Sequence, residues 1–161
     1  EYPFDALFFS GFTSAYDAQC ALMGARAVYD GPVFLSYALT DAGELPTHTH
    51  TLAEAVALAD EYGADVIGIA SGATYEHLAP VIETLRENTT KPLLAELVVR
   101  ELIERAYDPD LDNPYCSPAR MIDTALKLRQ QGVQFLRAGG VATFAYTGGL
   151  VATLAGLDVV A

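Results

Sequence analysis

Five short apolar runs recur along the chain, at residues 6–9, 32–37, 65–69, 92–95 and 133–136, and none shows strict alternation of apolar and polar residues. A strand with one face in water alternates. A strand buried on both faces does not, and that is the mark of a parallel sheet covered by helices. Helical patterns fill the intervals. Leu52, Ala55, Val56 and Ala59 share one helical face, as do Leu78, Val81, Ile82 and Leu85, and Met121, Ile122, Ala125 and Leu128. Ser14 with Asp17 and Thr51 with Glu54 read as capping boxes, and Ser117-Pro118 as a cap followed by a first-turn proline. Gly31, Gly63 and Gly132 fall between a helix and the next strand. Gly31 and Gly63 are 32 positions apart, the length of one βα unit. The chain therefore reads as one α/β domain over residues 1–161, with parallel strands and crossover helices. It forms either an open doubly wound sheet or part of a (βα)8 barrel, and both place function at the C-terminal ends of the strands.

Composition narrows the function classes. Apolar residues make up 52% of the chain and charged residues 19%, enough for a packed core. The net charge of −12 argues against nucleic acid or an anionic membrane surface as partner. No apolar run approaches the roughly 20 residues of a bilayer span. Glu1-Tyr2-Pro3 does not open a signal peptide, and the lack of a starting Met suggests an excised segment. Two cysteines, Cys20 and Cys116, make no disulfide framework, which points to the cytoplasm.

The strand ends offer few chemical groups: Ser10-Gly11-Phe12, Tyr37 to Thr40, Ala70-Ser71-Gly72, Glu96 onward and Ala138-Gly139-Gly140. Ser10, Ser71, Gly139, Gly140 and Thr143 are the expected lining of any pocket there. Residues 137–143 form a strand end with a glycine pair, able to turn backbone N–H groups toward an anion such as phosphate, although they lack a P-loop's spacing and lysine. His48 and His50, at i and i+2, are an alternative metal pair, but no third ligand stands at a recognisable spacing. Residues 108–113 open like a calcium loop, but Asn113 replaces the glycine and Ala119 the bidentate Glu that such a loop needs. Cys20 is expected in the core, on the Ala18, Ala21, Leu22 face of the first helix. Cys116 precedes a helix cap, and His77 lies in the first turn of the third helix.

Taken in order, residues 5–14, 32–45, 52–56, 63–71, 76–78, 91–94 and 132–140 resemble the homocysteine S-methyltransferase family, the homocysteine-binding barrel of methionine synthase and betaine–homocysteine methyltransferase. The resemblance implies the C-terminal five βα units of a (βα)8 barrel, and with them methyl transfer to a thiol, a small-molecule thiol ligand and a zinc cofactor. It also implies a degenerate site. Ser71, Val141 and Ala142 stand at the family's zinc-cysteine positions, and Ser10 at the acid that grips the substrate amine. No cofactor is then expected in this segment. The alternatives are a non-catalytic ligand-binding or scaffolding α/β domain and a five-stranded flavodoxin-like domain. Five strands of eight leave open edges, so the segment is expected to form a homo-oligomer or to associate with a missing N-terminal part.

Overall fold

A computed structural model describes residues 4–101 and 114–156. Strands and helices alternate: β1 (Leu7–Phe12), α1 (Ala15–Arg26), β2 (Val33–Ala38), α2 (Leu52–Glu61), β3 (Val66–Ser71), α3 (Tyr75–Asn88), β4 (Leu93–Val99), α4 (Pro118–Gln130), β5 (Phe135–Gly140) and α5 (Phe144–Leu154). All pairings are parallel, and the strand order in the sheet is β1-β2-β3-β4-β5. Sequential order decides between the two expected architectures. A doubly wound sheet reverses direction at a switch point, whereas each crossover here advances the same way, as in a barrel wall. The protein is five βα units forming a half-barrel. No described helix is long and apolar enough to cross a membrane.

The predicted helix starts are met to different degrees: Ser14 and Asp17 make only half of a capping box, and Ser117 is the N-cap of α4 without a side-chain capping bond. Ser14 Oγ accepts from the Asp17 N–H at α1, and Thr51 and Glu54 complete a reciprocal capping box at α2. Pro118 opens α4, where its missing N–H leaves no intrahelical bond unmade. The fifth strand lies further along than its apolar run suggests. It continues through Arg137 to Gly140 because the ladder with β4 runs on to the Val99–Gly140 pair. Residues 144–154, to which the sequence pattern assigns no element, form α5.

One ion pair ties the lower rim. Arg26, at the end of α1, donates to Asp65 at 2.6 Å, to the Gly31 carbonyl at 2.6 Å and to the Gly63 carbonyl at 2.9 Å. Asp65 also accepts the Val33 N–H at 2.8 Å. Partial burial pushes the Asp65 carboxyl upward, but the Val33 N–H and the Arg26 guanidinium outweigh it and hold the group below its ordinary value. A depressed carboxylate stabilises the fold above its unfolded pKa, and that contribution disappears as pH falls through the folded one. Because Asp65 is half-exposed, the effect is small. Arg26→Ala is expected to lower unfolding free energy by about 1–2 kcal/mol near neutral pH, with a gap that narrows below about pH 4 as Asp65 protonates. Urea titrations of both proteins at pH 7 and pH 3.5 measure this, and a gap unchanged by pH removes Asp65 from the account.

Candidate functional site

The pleat sorts the strand residues onto two faces. Leu35, Tyr37, Ile67, Ile69, Ala95 and Leu97 are buried under the helices. The opposite parity lines the concave face, in register rows: Ser36, Gly68, Leu94 and Phe135 in one, then Ala38, Ala70, Glu96 and Arg137 in the next. β1 adds Phe8 and Ser10. Toward the N-terminal ends, Phe34 packs edge-on against Phe8 and Phe135, with ring centroids 6.3 and 5.0 Å apart. These three rings form an aromatic floor at the base of the concavity, with Phe8 and Phe135 still partly exposed.

A polar cluster lies one layer higher. Ser10 Oγ donates to Glu96 Oε2 at 2.7 Å, and Arg137 donates to the same oxygen at 3.3 Å. The Glu96 side chain is 8% exposed and that of Arg137 48%. The guanidinium lies 4.7 Å from the Phe8 ring centre, a cation–π contact that fixes its plane. Apart from these contacts, its N–H groups meet no hydrogen-bond partner among the described residues. Gly139 leaves room for the carboxylate: a Cβ there would overlap Glu96 Oε1 and lie 2.8 Å from Cγ and Cδ. An ion pair with one exposed guanidinium edge, standing on an aromatic floor, can receive a planar anion in a bidentate fork.

Of the five expected pocket residues, Ser10 and Gly139 meet at Glu96. Ser71 lies on the helix side, 2% exposed, and its hydroxyl accepts the Ala73 N–H at 3.2 Å. Gly140 sits at the end of β5 with φ +65°, and Thr143 is the N-cap of α5, without a side-chain capping bond. Glu96 and Arg137, which the sequence places at strand ends but does not assign to the pocket, are the charged residues of the site. Their signal is that each interrupts an otherwise apolar stretch with a single charge.

His48 and His50 stand in the exposed β2–α2 loop. His48 has φ +52° and lies 3.5 Å from Glu44, while the His50 ring meets Tyr16 edge-on at 4.5 Å. A surface hollow of about 430 Å³ lies beside them, lined by the β2–α2 loop and the first turn of α2, with the buried Leu45 and Leu52 at its base, and Glu96 is not part of its lining. Among the described residues no three of His, Cys, Asp and Glu converge as metal ligands. His77 lies in the exposed first turn of α3, its Nδ1 3.0 Å from Oγ1 of the N-cap residue Thr74, which makes no side-chain capping bond. Cys20 is exposed instead of buried, because Ala15, Ala18, Leu22 and Ala25 form the packed face of α1 and Cys20 points away from it. Cys116 is partly exposed. The calcium-like stretch 108–113 lies outside the described residues.

No family model and no curated protein matches this chain. Solved structures do. The carboxyl transferase domain of Rhizobium etli pyruvate carboxylase superposes with TM-score 0.62 at 16% identity, covering 95% of this chain and 26% of that one. The same domain with pyruvate gives TM-score 0.64 at 16% identity, covering 96% and 26%. The complete multifunctional pyruvate carboxylase gives 0.61 at 15%, covering 94% and 14%. The chain thus spans about a quarter of those domains, and at this identity the likeness shows the fold alone. It overturns the resemblance to homocysteine S-methyltransferases: the matching barrel is that of a carboxyl transferase, and nothing supports a methyltransferase or a homocysteine site. The aligned blocks capture features common to many (βα)8 walls, namely apolar strands, a glycine before a strand and a glycine pair after the last one. The acid in the concavity comes from β4 and reaches across to Ser10, so the position of Ser10 says nothing about a lost acid.

Proposed function

We propose that the concave face is one wall of a (βα)8 active site that binds a small organic acid, of the kind carboxylated by the transferase domains it resembles. The observation that carries this reading is Arg137, stacked on Phe8 and paired with Glu96, with guanidinium N–H groups that take no further partner among the described residues. The acid's carboxylate takes that edge. Glu96, oriented by Ser10 and Arg137, is the group placed to accept a proton from the carbon next to the acid's carbonyl, the step that makes such a carbon a nucleophile. The chain's two lysines, Lys91 and Lys127, pair with Asp60 and Asp123, and Arg137 supplies a cation to the concave face. Two of the matched domains were solved with pyruvate and with 3-hydroxypyruvate, which makes these acids the natural probes.

Titrating pyruvate into the labelled protein is expected to shift the NMR signals of Arg137, Gly139 and Phe8, while neutral pyruvamide does not. Arg137→Gln is expected to weaken binding at least about tenfold, the worth of one charge-assisted bidentate contact. Glu96→Gln is expected to keep binding but lose exchange of the pyruvate methyl protons in D2O. Equal shifts with pyruvamide, or none at tens of millimolar pyruvate, would sink the reading.

A further inference from the structure

Every large apolar side chain exposed among the described residues lies between Phe4 and Val28 or between Leu126 and Val151. The described residues between these two groups, which span the inner βα units, include none. The exposure is therefore tied to the two edges of the sheet, β1 and β5, which pair on one side only. α5 shows the same bias. Its Gly149 faces Ile122 of α4, and Tyr146 and Leu150 face the core. The face turned away from α4 is then Phe144, Thr147 and Val151, of which Phe144 is 95% and Val151 61% exposed. α5 carries no charged residue in a chain of net charge −12. α1 carries only Asp17 and Arg26, and Arg26 is turned inward to Gly63 and Asp65. Apolar, uncharged helix faces beside unpaired strand edges are surfaces that soluble proteins cover.

The curvature of the sheet states what covers them. β1 and β5 stand four places apart in the strand order, yet Arg137 and Phe8 meet across the concavity at 4.7 Å, and Ser10 and Glu96 at 2.7 Å. Positions four apart are diametrically opposite in a ring of eight, and eight strands give an interior just wide enough for side chains to fill. A ring made of two copies would have ten strands and a wider lumen, in which these contacts would part. We propose that the β1/α1 and β5/α5 rims together dock three further parallel βα units, supplied by polypeptide beyond these 161 residues. Their outer strands pair with β1 and β5, and their flanking helices cover the Phe144–Val151 face.

The test compares the chain alone with a fusion in which a second copy of its own residues 32–131, three βα units, precedes the chain. Alone, the chain is expected to bind 1-anilinonaphthalene-8-sulfonate, to show no defined dimer by light scattering, and to exchange β1 and β5 amides at least about tenfold faster than those of β3. The fusion is expected to be monomeric, to lose the dye and to protect both edges. A dye-free monomer with protected edges would show that the rims are already covered. A defined dimer with protected edges would make a second copy the occupant. Either overturns the proposal. Should the fusion not fold, the double variant Phe144→Lys, Val151→Lys in the original chain decides the part of α5: its dye binding is expected to fall at least twofold with β3 exchange unchanged, and undiminished dye binding would exclude that face.

Discussion

Replacing Gly68 by alanine is expected to lower the unfolding free energy by about 3 kcal/mol, the upper range for overpacking a rigid interior. Gly68 sits in the middle of β3, paired with Leu94 of β4, where the strands are buried. A Cβ there would overlap the Leu94 carbonyl oxygen and lie 2.6 Å from Leu94 Cβ. A side chain could rotate away, but a carbonyl engaged in the sheet cannot, so the two central strands must separate. Gly24→Ala is the control. It lies within α1 with nothing inside 4 Å of the added methyl, and alanine there is expected to raise stability by about 0.5–1 kcal/mol. Urea denaturation measures both. A Gly68→Ala midpoint within error of the parent would mean that β3 and β4 are not this close.

Gly139→Ala is expected to dismantle the polar cluster. The methyl group would occupy the space of the Glu96 carboxylate, which must leave a site where it is 8% exposed and holds Ser10 and Arg137. Glu96 has flexible torsions, so the backbone survives and the cost is about 1–3 kcal/mol, much of it from unpaired polar groups. Binding of pyruvate is expected to fall as far as in Glu96→Ala, because Arg137 loses the partner that orients it. The double variant Glu96→Ala, Gly139→Ala separates packing from chemistry. The added methyl fills space vacated by the carboxylate, so the double variant is expected to be more stable than the sum of the single effects predicts, by about 1 kcal/mol. Pyruvate binding should stay low in it. Strict additivity in stability would show that the two residues do not share this space.

The sequence by itself determined the local units. Apolar runs without alternation mark strands buried on both faces, and the caps at Ser14 and Thr51 start helices through bonds made within three residues. These are short-range effects, so they are readable in order along the chain. The strand order was not readable, because a doubly wound sheet and a barrel wall contain the same βα units and differ only in which side each crossover takes. The resemblance to the homocysteine methyltransferases failed for the same reason: it matched units, and units are shared by unrelated barrels. The site depended on tertiary structure altogether. Ser10 and Glu96 lie 86 positions apart, and they meet only because β1 and β4 curl toward each other across the concavity. Ser71 is the last residue of β3, whereas Glu96 lies in the middle of β4. One faces the helices and the other the lumen, and only the register of the pleat, counted from its neighbours, assigns each its side.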